Sequence, residues 1–323
     1  MFHSTLKSLV MGMTLMTAAG AANAAYPDHP IRLIAPIAVG GLTDTLARLV
    51  AAGLSDQLKQ PVVVENKPGA GGIIGMEAAA KAPADGYTLI LVYQGVAAVN
   101  SSLYKDLSYN TQRDFTPVAT LGSFPLVLVT NSKTGIKSVQ ELIKPAKAQP
   151  RSLSYASAGN ATTSHLTMEL FKSQTGLDAV HVPYKGESAA NTDVAGGQTD
   201  IAYSSLASVI PLIKSGRLLP LGITTEKRAA VLPDVPTVAE SGVPGFEASG
   251  WYGLLAPAGT PQDVVLKLNQ AISQTMGQPD VQDKLNTLGV TPTTGTPAQL
   301  GEKIDSETKK WRDVIRAAHI SLG

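Results

Sequence analysis

The sequence contains no cysteine among its 323 residues. This excludes disulfide bonds, thiolate metal sites and cysteine nucleophiles. A protein without disulfides has to be held together by its core, which here is rich in aliphatic residues, with 44% hydrophobic but only 5% aromatic residues. That composition is typical of α/β proteins.

The sequence also lacks an excess of positive or negative charge. Lysine and arginine number 26 and aspartate and glutamate 25, for a formal charge of +1. Without Lys7, in the N-terminal segment discussed next, the charge is zero. No basic field is left to attract nucleic acid or an anionic membrane surface, so we expect neither partner.

Long apolar runs are also missing, except near the N-terminus. Residues 1–24 carry one basic residue, an apolar run from Leu9 to Ala19 and the small-residue triplet Ala22-Asn23-Ala24. This pattern predicts a secretory signal peptide with cleavage after Ala24 and an exported, periplasmic protein. A membrane anchor is the alternative, but the run is shorter than the roughly 20 residues that cross a bilayer.

The remaining chain alternates apolar strand-like runs with helix-like stretches. The first series contains "IRLIAPI", a helix over 43–59, "PVVVEN" and "YTLILVY", and a second series begins at "SFPLVLVT". Alternation of this kind predicts βαβ units and parallel sheets, and two sheets are more plausible than one very wide sheet. Two amphipathic tail helices after Pro261 are expected to pack back on the first sheet. We therefore predict an α/β protein of two lobes, residues 25–127 plus 251–323 and residues 128–250.

The motifs of common enzymes and cofactor sites do not occur. The glycines of "PGAGGIIG" (68–75) do not give G-x-G-x-x-G and follow the second strand, and there is no Walker motif. No histidine pair has the spacing of H-E-x-x-H. Ser157 lacks the G-x-S-x-G context of a hydrolase nucleophile. We predict no catalytic residues, no metal and no cofactor.

Two strand-to-helix loops, Val39–Asp44 and Ser157–Ser164, combine glycine with small hydroxyl residues at a helix start. Helix N-terminal N–H groups attract anions, and several modest donors suit a carboxylate that must be released again. The alternative is that the hydroxyl groups only cap their helices.

Three blocks of sequence carry a family resemblance. They are "YPDHPIRLIAPIAVGGLTDTLARLVAAGLSDQLKQPVVVENKPGAGGIIG", "HVPYKGESAANTDVAGGQTDIAYSSL" and "LPDVPTVAESGVPGFEASGWYGLLAPAGTP". From about Tyr26 onward the chain resembles the solute-binding receptors of tripartite tricarboxylate transporters, often called Bug proteins. The resemblance implies a monomeric, two-lobed periplasmic-binding-protein fold with a ligand cleft between the lobes. It also implies capture of a di- or tricarboxylate by hinge closure, and transfer to a membrane permease.

The resemblance further implies which positions hold the ligand. In this sequence they are Gly41, Leu42, Thr43, Gln94, Ser157, Gly159, Thr163, His165, Lys185, Gly186, Ser204 and Ser205.

Some positions depart from the family pattern. The usual P-G-G is Val39-Gly40-Gly41, the loop after "LILV" holds the bulky Tyr93-Gln94, and Ser204 replaces an aspartate. Loss of that carboxylate favours a dianion without an amine, such as an aromatic dicarboxylate. The alternatives are a secreted α/β enzyme acting on a carboxylated small molecule, and an adhesion or sensory module.

Overall fold

We analysed a computed structural model of the chain, which describes residues 26–40, 42–148, 153–229 and 231–321. The predicted signal peptide and its cleavage site lie outside the described residues. The strands are β1 (Ile31–Ala35), β2 (Val62–Asn66), β3 (Thr88–Tyr93), β4 (Phe115–Phe124), β5 (Leu126–Thr130), β6 (Leu153–Ser157), β7 (Ala179–Pro183), β8 (Ile201–Ser205), β9 (Leu219–Ile223), β10 (Gly250–Pro257) and β11 (Thr291–Pro292). The α-helices are α1 (Leu42–Leu58), α2 (Ile73–Ala80), α3 (Asn100–Leu103), α4 (Thr111–Asp114), α5 (Val139–Ala148), α6 (Thr163–Thr175), α7 (Glu187–Gly196), α8 (Leu206–Lys214), α9 (Gln262–Met276), α10 (Pro279–Thr287) and α11 (Pro297–Ala317).

Within the described residues, the strands form two sheets, as the alternating pattern predicts. The first has six strands in the order β11-β4-β10-β3-β1-β2, and the second has five in the order β7-β6-β8-β5-β9. The neighbours β2, β1 and β3 are parallel, and so are β7, β6 and β8. Strands β10 and β5 run antiparallel to β3 and β8, respectively.

The chain passes between the sheets at two places. The first is Pro125, which separates β4 from β5. The run "SFPLVLVT", predicted as one strand, is therefore split at a residue that has no N–H to donate to a ladder. The second passage lies between β9 and β10. Residues Gly250–Pro257, which follow this passage, are a buried strand between β4 and β3.

Helices cover both faces of each sheet. Residues Leu46 and Val50 of α1 and Leu268 of α9 pack on one face of the first sheet. Met76 of α2 and Leu300 of α11 pack on the other. On the second sheet, α6 covers one face and α7 and α8 cover the other. These coverings explain the continuous apolar runs of the parallel strands.

Helix α11 packs against both sheets' cores. It begins with a capping box between Thr296 and Gln299, which supplies acceptors to otherwise unpaired N–H groups. Its first half belongs to the core of the first sheet, whereas the fully buried Trp311 belongs to the core formed by α6 and the second sheet. The tail helices therefore return to the first sheet as predicted, and the end of α11 also supports the second.

Candidate functional site

The candidate site is built where two sheet edges meet. Parallel strands β1 and β3 end at one edge of the first sheet, and β6, β7 and β8 end at one edge of the second. Both passages of the chain lie at these same edges, because Gly250 pairs with Phe124 and Leu126 pairs with Ser205. The loops after the parallel strands therefore face one another across the passages, where ligands commonly bind in open α/β sheets.

The loop after β1 is braced by a buried carboxylate. Gly40, at φ 95°, donates its N–H to Asp44 Oδ2 over 2.9 Å. Asn66 donates to Asp44 Oδ1 over 2.9 Å, and Arg48 lies 3.1 Å from the same oxygen. The Gly40 N–H and the Asn66 amide lower the pKa of Asp44 below its usual range. Asp44 therefore orders the loop as an anion. Sequence reasoning placed Asp44 in the first turn of the helix but assigned it no role, although its spacing of four from Gly40 was a usable signal.

Predicted contacts Leu42 and Thr43 begin α1, both half-buried, while Gly41 lies outside the described residues. The Thr43 hydroxyl donates to the Tyr252 hydroxyl over 3.4 Å. Tyr252, on β10, was not among the predicted residues, because nothing in its local sequence marks it as a neighbour of a loop 209 residues away.

Gln94 is buried at the end of β3, and its amide is engaged inside the protein. Its Nε2 donates to Glu307 Oε2 over 2.7 Å and to the carbonyl oxygen of Ser249 over 3.3 Å. Glu307 also accepts the Trp311 indole N–H over 2.7 Å. Gln94 thus ties β3 to α11 and to the second passage. A ligand contact by its N–H groups would have to replace one of these bonds.

The loop after β6 is braced by neutral groups. Ser157 Oγ lies 2.7 Å from His181 Nε2 and accepts the Gly159 N–H over 3.2 Å. His165 Nδ1 accepts the N–H of Ala161 over 2.9 Å. Ala161 has a φ of 60°, which is rare for a residue with a Cβ. Thr163 is the first residue of α6.

The two histidines of this loop region are stacked. The His165 and His181 ring centroids are 4.0 Å apart with nearly parallel planes, and the Tyr155 ring lies 4.7 Å from His181, also nearly parallel. Burial, followed by the neighbouring His181, lowers the pKa of His165 to about 4. Burial also lowers the pKa of His181. Both rings are therefore neutral at pH 7, as Nδ1 of His165 must be to accept a hydrogen bond.

The loops after β7 and β8 complete the second edge. Gly186 donates its N–H to the carbonyl oxygen of Ala158 over 3.0 Å, and Lys185 is exposed. Ser204 is buried and donates to Asn191 Oδ1 over 2.5 Å. The burial of Ser204 and its hydrogen bond to Asn191 give no indication that it faces the edge of the first sheet.

Ser205 ends β8, directly precedes α8, and is hydrogen-bonded to Glu187. The Glu187 carboxylate accepts the Ser205 N–H over 3.1 Å and its hydroxyl proton over 2.5 Å. The edge therefore holds a carboxylate, although Ser204 stands where the family pattern has an aspartate. Sequence reasoning missed Glu187, although it directly follows the "YKG" segment.

At the loop after β6, a hydroxyl group and an imidazole are in contact. The Ser157–His181 pair has the spacing of a nucleophile and a base. However, the nearby Glu169 accepts the hydroxyl proton of Tyr155 at 2.5 Å, and among the described residues His181 donates no hydrogen bond to a carboxylate. No cluster of three or more metal-ligating side chains occurs among the described residues either. Among the described helices, none has the length and apolar character needed to cross a membrane.

Comparison with known families gives a match over residues 46–320 to the tripartite tricarboxylate transporter family receptor. The chain belongs to this family of receptors. The receptor is 39% identical over 317 residues to the protein BugT of Bordetella pertussis, with 97% of each chain covered. It is 37% identical over 311 residues to a protein of Pseudomonas sp. strain P51 known from the tcbD-tcbE intergenic region, covering 96% of this chain and 92% of that one.

Solved structures agree with the two-lobed fold of the receptor. Rpa4515 of R. palustris with adipate superposes with a TM-score of 0.78 at 36% identity, covering 92% of this chain and 100% of that one. MatC from Rhodopseudomonas palustris with bound malate gives 0.74 at 33% identity, with 90% and 100% covered. A ligand-free TctC solute-binding protein from Polaromonas gives 0.82 at 27% identity, with 90% and 99% covered.

Proposed function

We propose that the receptor captures a carboxylated small molecule in the periplasm and delivers it to the membrane permease of a tripartite tricarboxylate transporter, acting as a monomer without catalysis. Export through a signal peptide cleaved after Ala24 is part of this proposal. The family match supports it, and so do the related proteins solved with adipate and malate.

The observation that carries the proposal is the pairing of two pre-ordered helix starts. Helix α1 begins at Leu42 and α6 at Thr163, each directly after a loop at the facing edges. The first N–H groups of a helix have no acceptor within it, and they carry a partial positive charge that favours an anion. Both loops are held by their own hydrogen bonds, so little ordering is left for the ligand to impose.

Alanine variants of Thr43 and Ser157 test this arrangement. Neither hydroxyl makes a cap: the α6 cap position is Thr162, and Ser157 bonds to His181. We expect Thr43→Ala and Ser157→Ala each to weaken carboxylate binding by about 1.5 to 3 kcal/mol, the range for hydrogen bonds to charged groups. Calorimetry against a panel of carboxylates measures this, with the exposed Ser173→Ala on α6 as a matched control.

A receptor and an enzyme differ in the fate of the ligand. After prolonged incubation the bound carboxylate should be recovered chemically unchanged, because a receptor only releases it. Conversion of the ligand that is abolished by Ser157→Ala would contradict the proposal in favour of an enzyme.

We further propose that the two lobes, residues 25–127 plus 251–323 and residues 128–250, close on the ligand about the passages at Pro125 and before Gly250. Contacts from both edges exist only when the edges approach, so the ligand stabilises the closed state. Small-angle scattering should give a smaller radius of gyration at saturating ligand. An unchanged radius would contradict closure but not binding.

A further inference from the structure

One carboxylate of the protein already occupies the start of α8. Glu187, in the first turn of α7, accepts both the N–H and the hydroxyl proton of Ser205. Ser205 is the residue that precedes α8. The place where a ligand anion would meet these two donors is therefore filled from within the protein.

The hydrogen bonds to Ser205 place the Glu187 carboxylate at the edge of the second sheet beside the first passage, because Ser205 pairs with Leu126, next to Pro125. This carboxylate lies near enough to Tyr252 to contribute to raising the pKa of that phenol, after burial as the main cause. Tyr252 in turn bonds to Thr43 at the start of α1. Glu187 therefore lies at the edge of the second sheet that faces the loop after β1.

Glu187 is not neutralised by a basic partner. Throughout the described ranges, its hydrogen bonds go to Ser205, and it forms no ion pair with a lysine or an arginine. By contrast, the buried Asp44 on the facing edge is paired with Arg48. The carboxylate of Glu187 can therefore interact electrostatically with a ligand bound between the sheet edges.

We infer that Glu187 is a specificity-determining residue, which disfavours a second carboxylate and selects a ligand with one carboxylate and a hydrogen-bond donor, ammonium or hydroxyl, at its other end. This inference rests on the proposed function. The ligand carboxylate meets the starts of α1 and α6, and the donor meets the free lone pairs of Glu187. A second carboxylate there would be repelled by a like charge in a partly dehydrated space, whereas an ammonium would be attracted and a hydroxyl accepted.

The test compares matched ligands that differ only in the distal group. The probes are glutarate, 4-hydroxybutyrate and 4-aminobutyrate, together with the aromatic set terephthalate, 4-(hydroxymethyl)benzoate and 4-(aminomethyl)benzoate. Calorimetry gives the affinity of each for the wild type and for Glu187→Gln, whose amide oxygen can still accept the Ser205 N–H. Glu226→Gln, exposed on the same lobe, is the control for loss of one negative charge.

We expect the wild type to prefer the amino or hydroxy member of a set over the dicarboxylate. Glu187→Gln should shift the ratio of amino-acid to dicarboxylate affinity by at least about tenfold toward the dicarboxylate, and Glu226→Gln should leave the ratio unchanged. A ratio that moves less than threefold in Glu187→Gln, or a wild type that prefers the dicarboxylate, overturns the inference while the proposed function stands. Binding of no probe in either set overturns both.

A second measurement needs no variant. Salt screens charge interactions, so raising sodium chloride should lower the wild-type affinity ratio of the amino member to the hydroxy member of a set. An unchanged ratio would contradict a charge-based selection even if Glu187→Gln fails to fold.

Discussion

The loops after β1 and after β6 reach the same geometry by opposite electrostatic means. Both follow a parallel strand, contain a glycine at positive φ and lead into a helix. The loop after β1 is braced by an anion, Asp44, whereas the loop after β6 is braced by two neutral imidazoles, His165 and His181. A strand-to-helix loop can therefore be ordered by either kind of support, provided that the support itself is hydrogen-bonded.

The difference has a thermodynamic consequence. The pKa of Asp44 is lowered, so its contribution to stability is present at neutral pH and is lost only as the pH falls through its folded-state pKa. The pKa of His165 is also lowered, to about 4, because the folded protein disfavours the charged ring. For a histidine, stability is then full above its unfolded pKa of about 6.5 and declines below it. As the pH is lowered from 7, the loop after β6 should therefore be destabilised before the loop after β1.

Removing the anionic brace should have the largest effect on stability. Asp44→Ala leaves the Gly40 N–H, the Asn66 amide and the Arg48 guanidinium without their acceptor. We expect the free energy of unfolding to fall by about 3 to 4 kcal/mol, because two hydrogen bonds to a charged acceptor are lost at about 1.5 to 3 kcal/mol each. Urea unfolding at pH 7 measures this, with Asp56→Ala on the exposed side of α1 as the control. Equal losses for the two variants would refute the bracing role of Asp44.

Removing a neutral brace should change the pH dependence of stability. In His165→Asn the side-chain oxygen can still accept the Ala161 N–H, but no ring remains to be protonated. Between pH 7 and pH 4, the free energy of unfolding of the wild type should fall by up to about 3 kcal/mol more than that of this variant. The reason is that His165 is protonated in the unfolded chain but stays neutral in the folded chain over most of this range. Urea unfolding across this range checks the expectation. A parallel slope in His165→Asn would count against the bracing by a neutral ring.

The smallest effect on the free energy of unfolding is expected at Arg48, the exposed partner of Asp44. Arg48 lies 3.1 Å from Asp44, but its side chain is 52% exposed. We expect Arg48→Met, which keeps the aliphatic stem, to cost no more than about 1 kcal/mol. The difference from wild type should shrink in 1 M salt. Thermal unfolding at low and high salt measures it, and a larger loss that is insensitive to salt would show that Arg48 acts by packing instead.

Local pattern was a good guide to most elements. The apolar runs and helical periodicity predicted β1, β2, β3 and the starts of α1 and α6 to within one or two residues. Several elements were not predicted, among them β4, α10 and the short α3, α4 and β11. Strand β4 reads "FTPVATLGSF", where proline and glycine interrupt the apolar run. Helix α10 has few apolar positions and is stabilised by packing of Val281 and Leu285 on the first core.

The sequence by itself determined the family, the two sheets and the two loops that begin α1 and α6, because these depend on residues close together in the chain. Only the tertiary structure decided which side chains those loops would meet. Gln94 donates a hydrogen bond to Glu307, 213 residues away in the chain, and Thr43 donates one to Tyr252, 209 residues away. Glu187 accepts the hydroxyl proton of Ser205, at a place where the sequence indicated no carboxylate. The physical reason is that the order and direction of the strands bring these distant side chains together. No local sequence pattern encodes which strands pair with each other.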